Sequence, residues 1–333
     1  MLFFQAWQNR RPPLIHHPIC TTMKMRITRC LLFGLALAAA PAPADDYNGW
    51  KAAHPEWSLV FSDDFNGSTL DTSKWNRIDY VNWNVSDWRK YQSRDAELVT
   101  MNGDGTVSLW GKYGDFTSQA DQTGTNNTYA CGGIFTNKTF TFQYGYVEVR
   151  AKFDCAPGVW PAIWMMPTSG TWPQNGEIDI MEHLNYEGII HQTLHYNNAG
   201  GKATTSGTVN ANGTSSAYFT SVEEKAAFHT YGVEWGPDHI SFLMDGKKTL
   251  TVNADPNNPN WPFNKNNNPY YLLLDMQLGG NWVGEIGDIG DGVSMSLDYV
   301  RVYSTPTVTV PEPASPLLCL TGLGALALRR RRQ

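Results

Sequence analysis

An all-β sandwich of two antiparallel sheets is the fold class predicted by three features of the sequence. Short strand-like runs, several of them alternating apolar and polar residues, recur between clusters of Gly, Asn and Asp. Long helical periodicity is absent. Residues 45–305 contain no Ser/Pro-rich linker and no internal repeat, and a stretch of that length suits one sandwich domain.

The strands follow in chain order. Residues 107–110 form the first clear run. In 146–153, Val147, Val149, Ala151 and Phe153 alternate with Glu148, Arg150 and Lys152, the two-residue period of a half-buried antiparallel strand. Runs 177–181, 191–196, 229–235 and 240–244 come next, and Met244-Asp245-Gly246-Lys247 supplies a hairpin turn of the Asp-Gly kind. Runs 271–278 and 296–303 complete the series. A hairpin is also expected to turn near residues 142–144, and 222–227 reads as one short helical turn. Two long connections rich in Asn and Gly, 197–216 and 253–269, are of the kind that border functional sites.

The two ends read differently from the body. Lys24, Arg26 and Arg29, an apolar run over 31–40, and Ala42-Pro43-Ala44 stand in the order of a secretory signal peptide. That run is too short to cross a bilayer as a helix. At the other end, Pro311-Glu312-Pro313 precedes an apolar, Gly-containing stretch (317–328) and then Arg329–Arg332. This arrangement resembles the PEP-CTERM sorting signal of Gram-negative bacteria. The resemblance implies transient contact of the tail with a membrane and its exosortase, and a secreted or cell-surface product. The expected organisation is a leader (1–44), a folded domain (45–305) and a sorting tail (306–333).

Between leader and tail, 16 basic residues stand against 30 acidic ones, a net charge of −14 where the whole chain carries −6. Such a surface repels nucleic acid and anionic lipid and disfavours heavily sulfated polysaccharide. A monomer acting on a neutral polysaccharide is expected. Of the five cysteines, only Cys131 and Cys155 lie in the body. They flank the expected hairpin almost symmetrically, and export permits oxidation, so a Cys131–Cys155 disulfide is predicted.

The chemistry concentrates in Gly176–Glu182, G-E-I-D-I-M-E. On a flat strand Glu177 and Asp179 share a face, whereas Glu182 has the wrong parity. An extra residue, a β-bulge near Ile180–Met181, would return Glu182 to that face. Crowding three carboxylates is electrostatically costly. Two carboxylates about 5–5.5 Å apart are also the machinery of retaining glycoside cleavage. In that chemistry one Glu attacks the anomeric carbon while the other protonates the leaving oxygen and then activates water. The intervening Asp hydrogen-bonds the nucleophile, and its charge keeps the acid protonated.

Trp160, Trp164 and Trp172 precede the acidic strand, and Trp282 follows it, with indole faces suited to stacking on pyranose rings. His191 and His195 share one face of a strand, and no Cys cluster or H-E-x-x-H accompanies them, so a zinc pair is not expected. His195 is expected to hydrogen-bond in the groove, whereas for His191 a groove role and a structural one both stand open.

With these residues in hand, the chain resembles glycoside hydrolase family 16. G-E-I-D-I-M-E-H, W-P-A-I-W-M-M-P upstream and L-D-Y-V-R-V-Y near the end carry the likeness. F-S-D-D-F-N-G, Y-G-Y-V-E-V-R-A-K-F, F-H-T-Y-G-V-E-W and L-G-G-N-W-V-G match further landmarks in order, covering most of 57–304. The E-x-D-x-x-E form resembles the laminarinase, agarase and carrageenase branches; lichenase-type members lack the extra residue. The resemblance implies a concanavalin-like β-jelly roll with Glu177 as nucleophile, Asp179 as its helper and Glu182 as acid/base. It also implies substrate contacts from Asn281 and Trp282 and endo-1,3-β-glucanase activity on laminarin-like chains, with no cofactor needed for catalysis. A structural calcium on the convex face is implied at Asp298 and Asp64. One departure stands out: where laminarinases often read S-G-R-I, this chain has Cys131-Gly132-Gly133-Ile134, without the groove arginine. Hydrolysis of agarose or another red-algal galactan is the alternative substrate reading. A non-catalytic, glucan-binding lectin is the alternative class.

Overall fold

The computed structural model describes residues 54–55, 57–79, 87–116, 129–201, 203–206 and 226–304. The leader, the tail and most of 222–227 lie outside them. Within them the chain forms β1 (Ser58–Asp63), β2 (Asn76–Arg77), β3 (Val99–Met101), β4 (Val107–Tyr113), β5 (Tyr129–Cys131), β6 (Gly133–Phe135), β7 (Gly145–Phe153) and β8 (Val159–Pro167). There follow β9 (Glu177–Glu182), β10 (His191–Asn197), β11 (Ala203–Ser206), β12 (His229–Trp235), β13 (His239–Met244), β14 (Lys247–Asn253), β15 (Tyr270–Leu278) and β16 (Val293–Ser304). A single 3-10 turn, Ala96–Leu98, is the helical element among the described residues.

Two sheets result, as the alternating runs predict. One has the order β14-β13-β12-β7-β16-β4-β3, with β1 beside β16 and β5 beside β4; the other runs β11-β10-β9-β8-β15-β6-β2. Val147, Val149, Ala151 and Phe153 of β7 pack with Ile163 and Met165 of β8 and Ile178 of β9 in the shared core. The reverse face of the second sheet carries a smaller apolar cluster that includes Ala162, Trp164, Tyr271 and Leu273. That face floors the groove. The Asp-Gly turn joins β13 to β14 with Asp245 at φ 47° and Gly246 at φ 70°, the doubly positive backbone of a type I′ hairpin.

Two expectations need correction, and strand β8 has no counterpart in the sequence reading. Strand β8 escapes the periodicity reading because Pro161 and Pro167 argue against a central strand. It is nevertheless tolerated: the ladder to β9 ends at Ala162, and the Pro161 carbonyl accepts a hydrogen bond from His183 N at 3.2 Å. The hairpin near 142–144 does not form, because β6 joins β15 and β2 in one sheet while β7 joins β12 and β16 in the other. The predicted disulfide fails with it. Cys131 and Cys155 are both thiols, Cys131 buried beside β4 and Cys155 beyond the end of β7. Burial pushes the Cys131 thiol well above its ordinary range, and the Asp275 charge adds to this.

Trp235 shows what the core contributes. It is fully buried, donates its indole N–H to the Phe263 carbonyl at 2.9 Å, and meets the rings of Phe142, Tyr144 and Tyr270. Replacing it with Ala leaves a large cavity and an unpaired carbonyl. Trp235→Ala is expected to cost about 3–5 kcal/mol, read as a lowered urea midpoint at unchanged slope.

Candidate active site

Strand β9 is entered through Gly176, at φ 90°, where a Cβ would lie 2.2 Å from the Tyr270 hydroxyl oxygen. Only glycine meets both demands. From there the bulge forms where the parity anomaly requires it. Asp179 faces Thr193 and Glu182 faces His191, so β9 advances three residues while β10 advances two. On the other side Trp164 pairs with Asp179 and Ile163 with Met181, which identifies Ile180 as the extra residue. Ile180 and Met181 both enter the core, and Glu177, Asp179 and Glu182 all line one cavity of ≈ 430 Å³.

The tryptophans do more than offer stacking faces. Trp160 donates its indole N–H to Glu182 Oε1 at 3.0 Å, Trp172 donates to Glu177 Oε2 at 2.5 Å, and Trp164 donates to Asp275 Oδ1 at 2.8 Å. Each of the three orients a carboxylate of the site. Trp160 and Trp164 are nearly buried on the groove floor, whereas Trp172 is 56% exposed and Trp282 48% exposed. The last two are therefore the ones with free ring faces. Trp282 stands edge-on to Trp160 with ring centres 5.0 Å apart.

His195 lies where it was expected, with Nε2 3.3 Å from Asp179 Oδ2 and its ring 5.6 Å from Trp172. His191 turns instead to Glu187, 2.8 Å from Oε2, so the two histidines do not converge on a metal. One ligand atom each from Glu177, Asp179 and His195 does fall within 4.8 Å of the others. Asn281 is not brought into the acidic cavity; it lines a neighbouring recess with Gly280 and Gly284. Trp88, Thr193 and Gln277 line the acidic cavity without having been singled out in the sequence, and Asp275 lies beneath it. Asp275 and Gln277 were detectable as two polar residues in the otherwise apolar run of β15. Trp88, 5.0 Å from the Trp164 ring, gave no pattern.

Electrostatics follow from crowding in a partly dry site. Burial pushes Asp179 up to about 7, opposed by its hydrogen bond with Glu177. Burial raises Glu182 well above the carboxylate range, and the charges of Asp179 and Glu177 raise it further. Burial and the Asp179 charge raise Glu177 too, but His195 and the Trp172 N–H both favour its charged form. Glu177 and Asp179 share one hydrogen bond and so one proton. That hydrogen bond raises Glu177 and lowers Asp179, while His195 and the Trp172 N–H oppose the rise at Glu177.

Asp298 and Asp64 do not fit the calcium set expected of them. The Asp298 carboxylate is ion-paired with Arg150, and Asp64 faces Arg301 at 3.4 Å. A guanidinium against each carboxylate opposes a cation there.

Comparison with known proteins agrees with this geometry. Residues 76–301 match the family model described as Glycosyl hydrolases family 16. The chain is 33% identical to the keratan-sulfate endo-1,4-beta-galactosidase of Sphingobacterium multivorum, over 81% of this chain and 60% of that protein. It is also 33% identical to glucan endo-1,3-beta-glucosidase A1 of Niallia circulans, over 74% of this chain and 38% of that protein. The chain thus spans less than two thirds of each of these two relatives. Among solved structures, the non-specific endo-beta-1,3(4)-glucanase SCLam superimposes with a TM-score of 0.61 at 33% identity, over 75% of this chain and 92% of that one.

Proposed function

The chain belongs to glycosyl hydrolases family 16, and from that premise we propose that it is an exported endo-glycosidase cleaving β-1,3-glucan with retention of configuration. The observation that carries this reading is the bulged strand β9, which sets two glutamates and an aspartate on one wall of the cavity. Glu177, ionised and held by the Trp172 N–H, attacks the anomeric carbon. Glu182, protonated, gives its proton to the departing glycosidic oxygen. A glycosyl ester on Glu177 results. Glu182, now a base, takes a proton from water, which attacks the same carbon and frees Glu177. Asp179 hydrogen-bonds Glu177 and so positions the nucleophile, and its charge helps to keep Glu182 protonated. Both steps use only protein groups and water. The exposed faces of Trp172 and Trp282 suit sugar rings, and β-1,3-glucan is the chain on which the Niallia relative is named to act.

The signal-like leader and the PEP-CTERM-like tail support export to the outside of the cytoplasm or to the cell surface, with 45–305 as the catalytic domain. A second reading, hydrolysis of a β-linked galactan, is supported by the name of the Sphingobacterium relative and by Gly133 standing where laminarinases often have arginine. Side-by-side product profiling on laminarin, mixed-linkage glucan, agarose, carrageenan and keratan sulfate separates the two. Oligosaccharides from laminarin are expected, and release from galactans alone would replace the glucan assignment. Retention has its own check. Proton NMR during early hydrolysis is expected to show the β-anomer first, and an initial α-anomer would refute the double displacement.

A further inference from the structure

Asp275 is fully buried at the centre of β15, one strand beyond β8. Its Oδ2 accepts from Gln92 Nε2 at 2.8 Å, and its Oδ1 accepts from Trp164 Nε1 at 2.8 Å and Gln277 Nε2 at 3.2 Å. All three partners are donors, the set that a carboxylate needs and a neutral acid does not. Trp164 and Gln277 line the same cavity as Glu177 and Glu182.

The sheet register adds a second relation. Glu182, Ala162, Asp275 and Gly133 are successive cross-strand partners on β9, β8, β15 and β6. Residues directly opposite on neighbouring strands share a face. Ala162 is the one residue between the two acids in this row, and their backbones are two strand spacings, roughly 9–10 Å, apart. At Gly133 a Cβ would lie 2.4 Å from Asp275 Cβ, so the position often held by arginine in laminarinases is closed to any side chain. The row holds two carboxylates and no cation.

We infer that Asp275 is a positioning residue for glycoside cleavage: it fixes Trp164 and Gln277 on the groove floor, and its negative charge acts on Glu182 along the shared row. The role presupposes the hydrolase activity proposed above. Burial pushes Asp275 up to about 7, so its charge is present on the neutral and alkaline side, where the acid form of Glu182 must be preserved. The other charged or titratable groups facing Glu182 are Glu177 and Asp179 on its own strand and His191 and His195 on β10. None of these changes in an Asp275 variant.

The test uses whichever polysaccharide the wild-type chain cleaves. Asp275→Asn removes the charge with little change of shape. The alkaline limb of its kcat profile is expected to move to lower pH by on the order of one unit, from unit charges about 9–10 Å apart at an effective dielectric near 20. Its KM is expected to rise about 2–10-fold as the hold on Trp164 and Gln277 loosens. Asp275→Glu keeps the charge and is expected to restore the alkaline limb while KM stays raised. An unmoved limb in a folded, active Asp275→Asn enzyme overturns the inference while leaving the hydrolase reading intact. Absence of cleavage by the wild-type chain overturns the hydrolase reading itself. Should Asp275→Asn not fold, Gln277→Met removes one groove-side partner and is expected to raise KM about 2–10-fold at an unchanged limb. An unchanged KM there would overturn the positioning role.

Discussion

Glu177→Ala is expected to lower kcat by about 10⁴–10⁶-fold, the scale on which covalent catalysis fails when its nucleophile is removed. The fold should survive, because Glu177 faces the cavity and its neighbour Ile178 carries the core contact. The variant also leaves the Trp172 N–H without its acceptor. Azide, a small anionic nucleophile, fits the vacated space and should restore turnover with an activated aryl glycoside, releasing a glycosyl azide of inverted configuration. Hydrolysis at the wild-type rate would remove Glu177 from the mechanism. Loss without azide rescue, in a protein whose unfolding curve is unchanged, would argue for binding rather than bond formation.

Glu182→Ala should cost about 10²–10⁴-fold on polysaccharide, the usual contribution of a positioned acid/base. The loss depends on the leaving group, which distinguishes it from the first variant. A nitrophenolate departs without protonation, so glycosyl-enzyme formation from an aryl glycoside should stay fast while its hydrolysis slows, giving a burst. The pH dependence has a definite sign. Burial and the charges of Asp179 and Glu177 hold Glu182 protonated above the ordinary carboxylate range. Wild-type kcat therefore falls as pH rises through that raised value, and the alkaline limb should vanish in Glu182→Ala. A retained limb would assign it to another group, Asp179 being the first candidate.

Much of this site was legible because strand parity is a rigid rule. Glu177 and Asp179 had to share a face, and Glu182 could join them only through an added residue, which the register locates at Ile180. The strand runs with clean alternation or apolar continuity also emerged nearly at their true bounds: residues 229–235 coincide with β12, and 271–278 lie one residue inside β15. What failed depended on long-range pairing. Cys131 and Cys155 looked symmetric about a turn, yet β6 and β7 belong to different sheets, and sequence proximity says nothing of that choice. Strand β8 was hidden by prolines whose cost depends on where the neighbouring ladder ends. The tryptophans were found by type, but their hydrogen-bond duties were not, since an indole N–H reveals its acceptor only once the sheet is assembled. Asp275 went unremarked for the same reason: its three donors come from residues 92, 164 and 277.

The bulge at Ile180 also bears on how such a strand can change length over descent. Deleting Ile180 would leave E-I-D-M-E, an unbroken alternation in which all three acids still share one face. Deleting Ile178 instead would put Glu177 and Asp179 side by side on opposite faces and dismantle the constellation. A lineage can therefore gain or lose one residue between Asp179 and Glu182 without turning an acid into the core. Elsewhere in the strand, a single-residue change of length is a reversal of inside and outside.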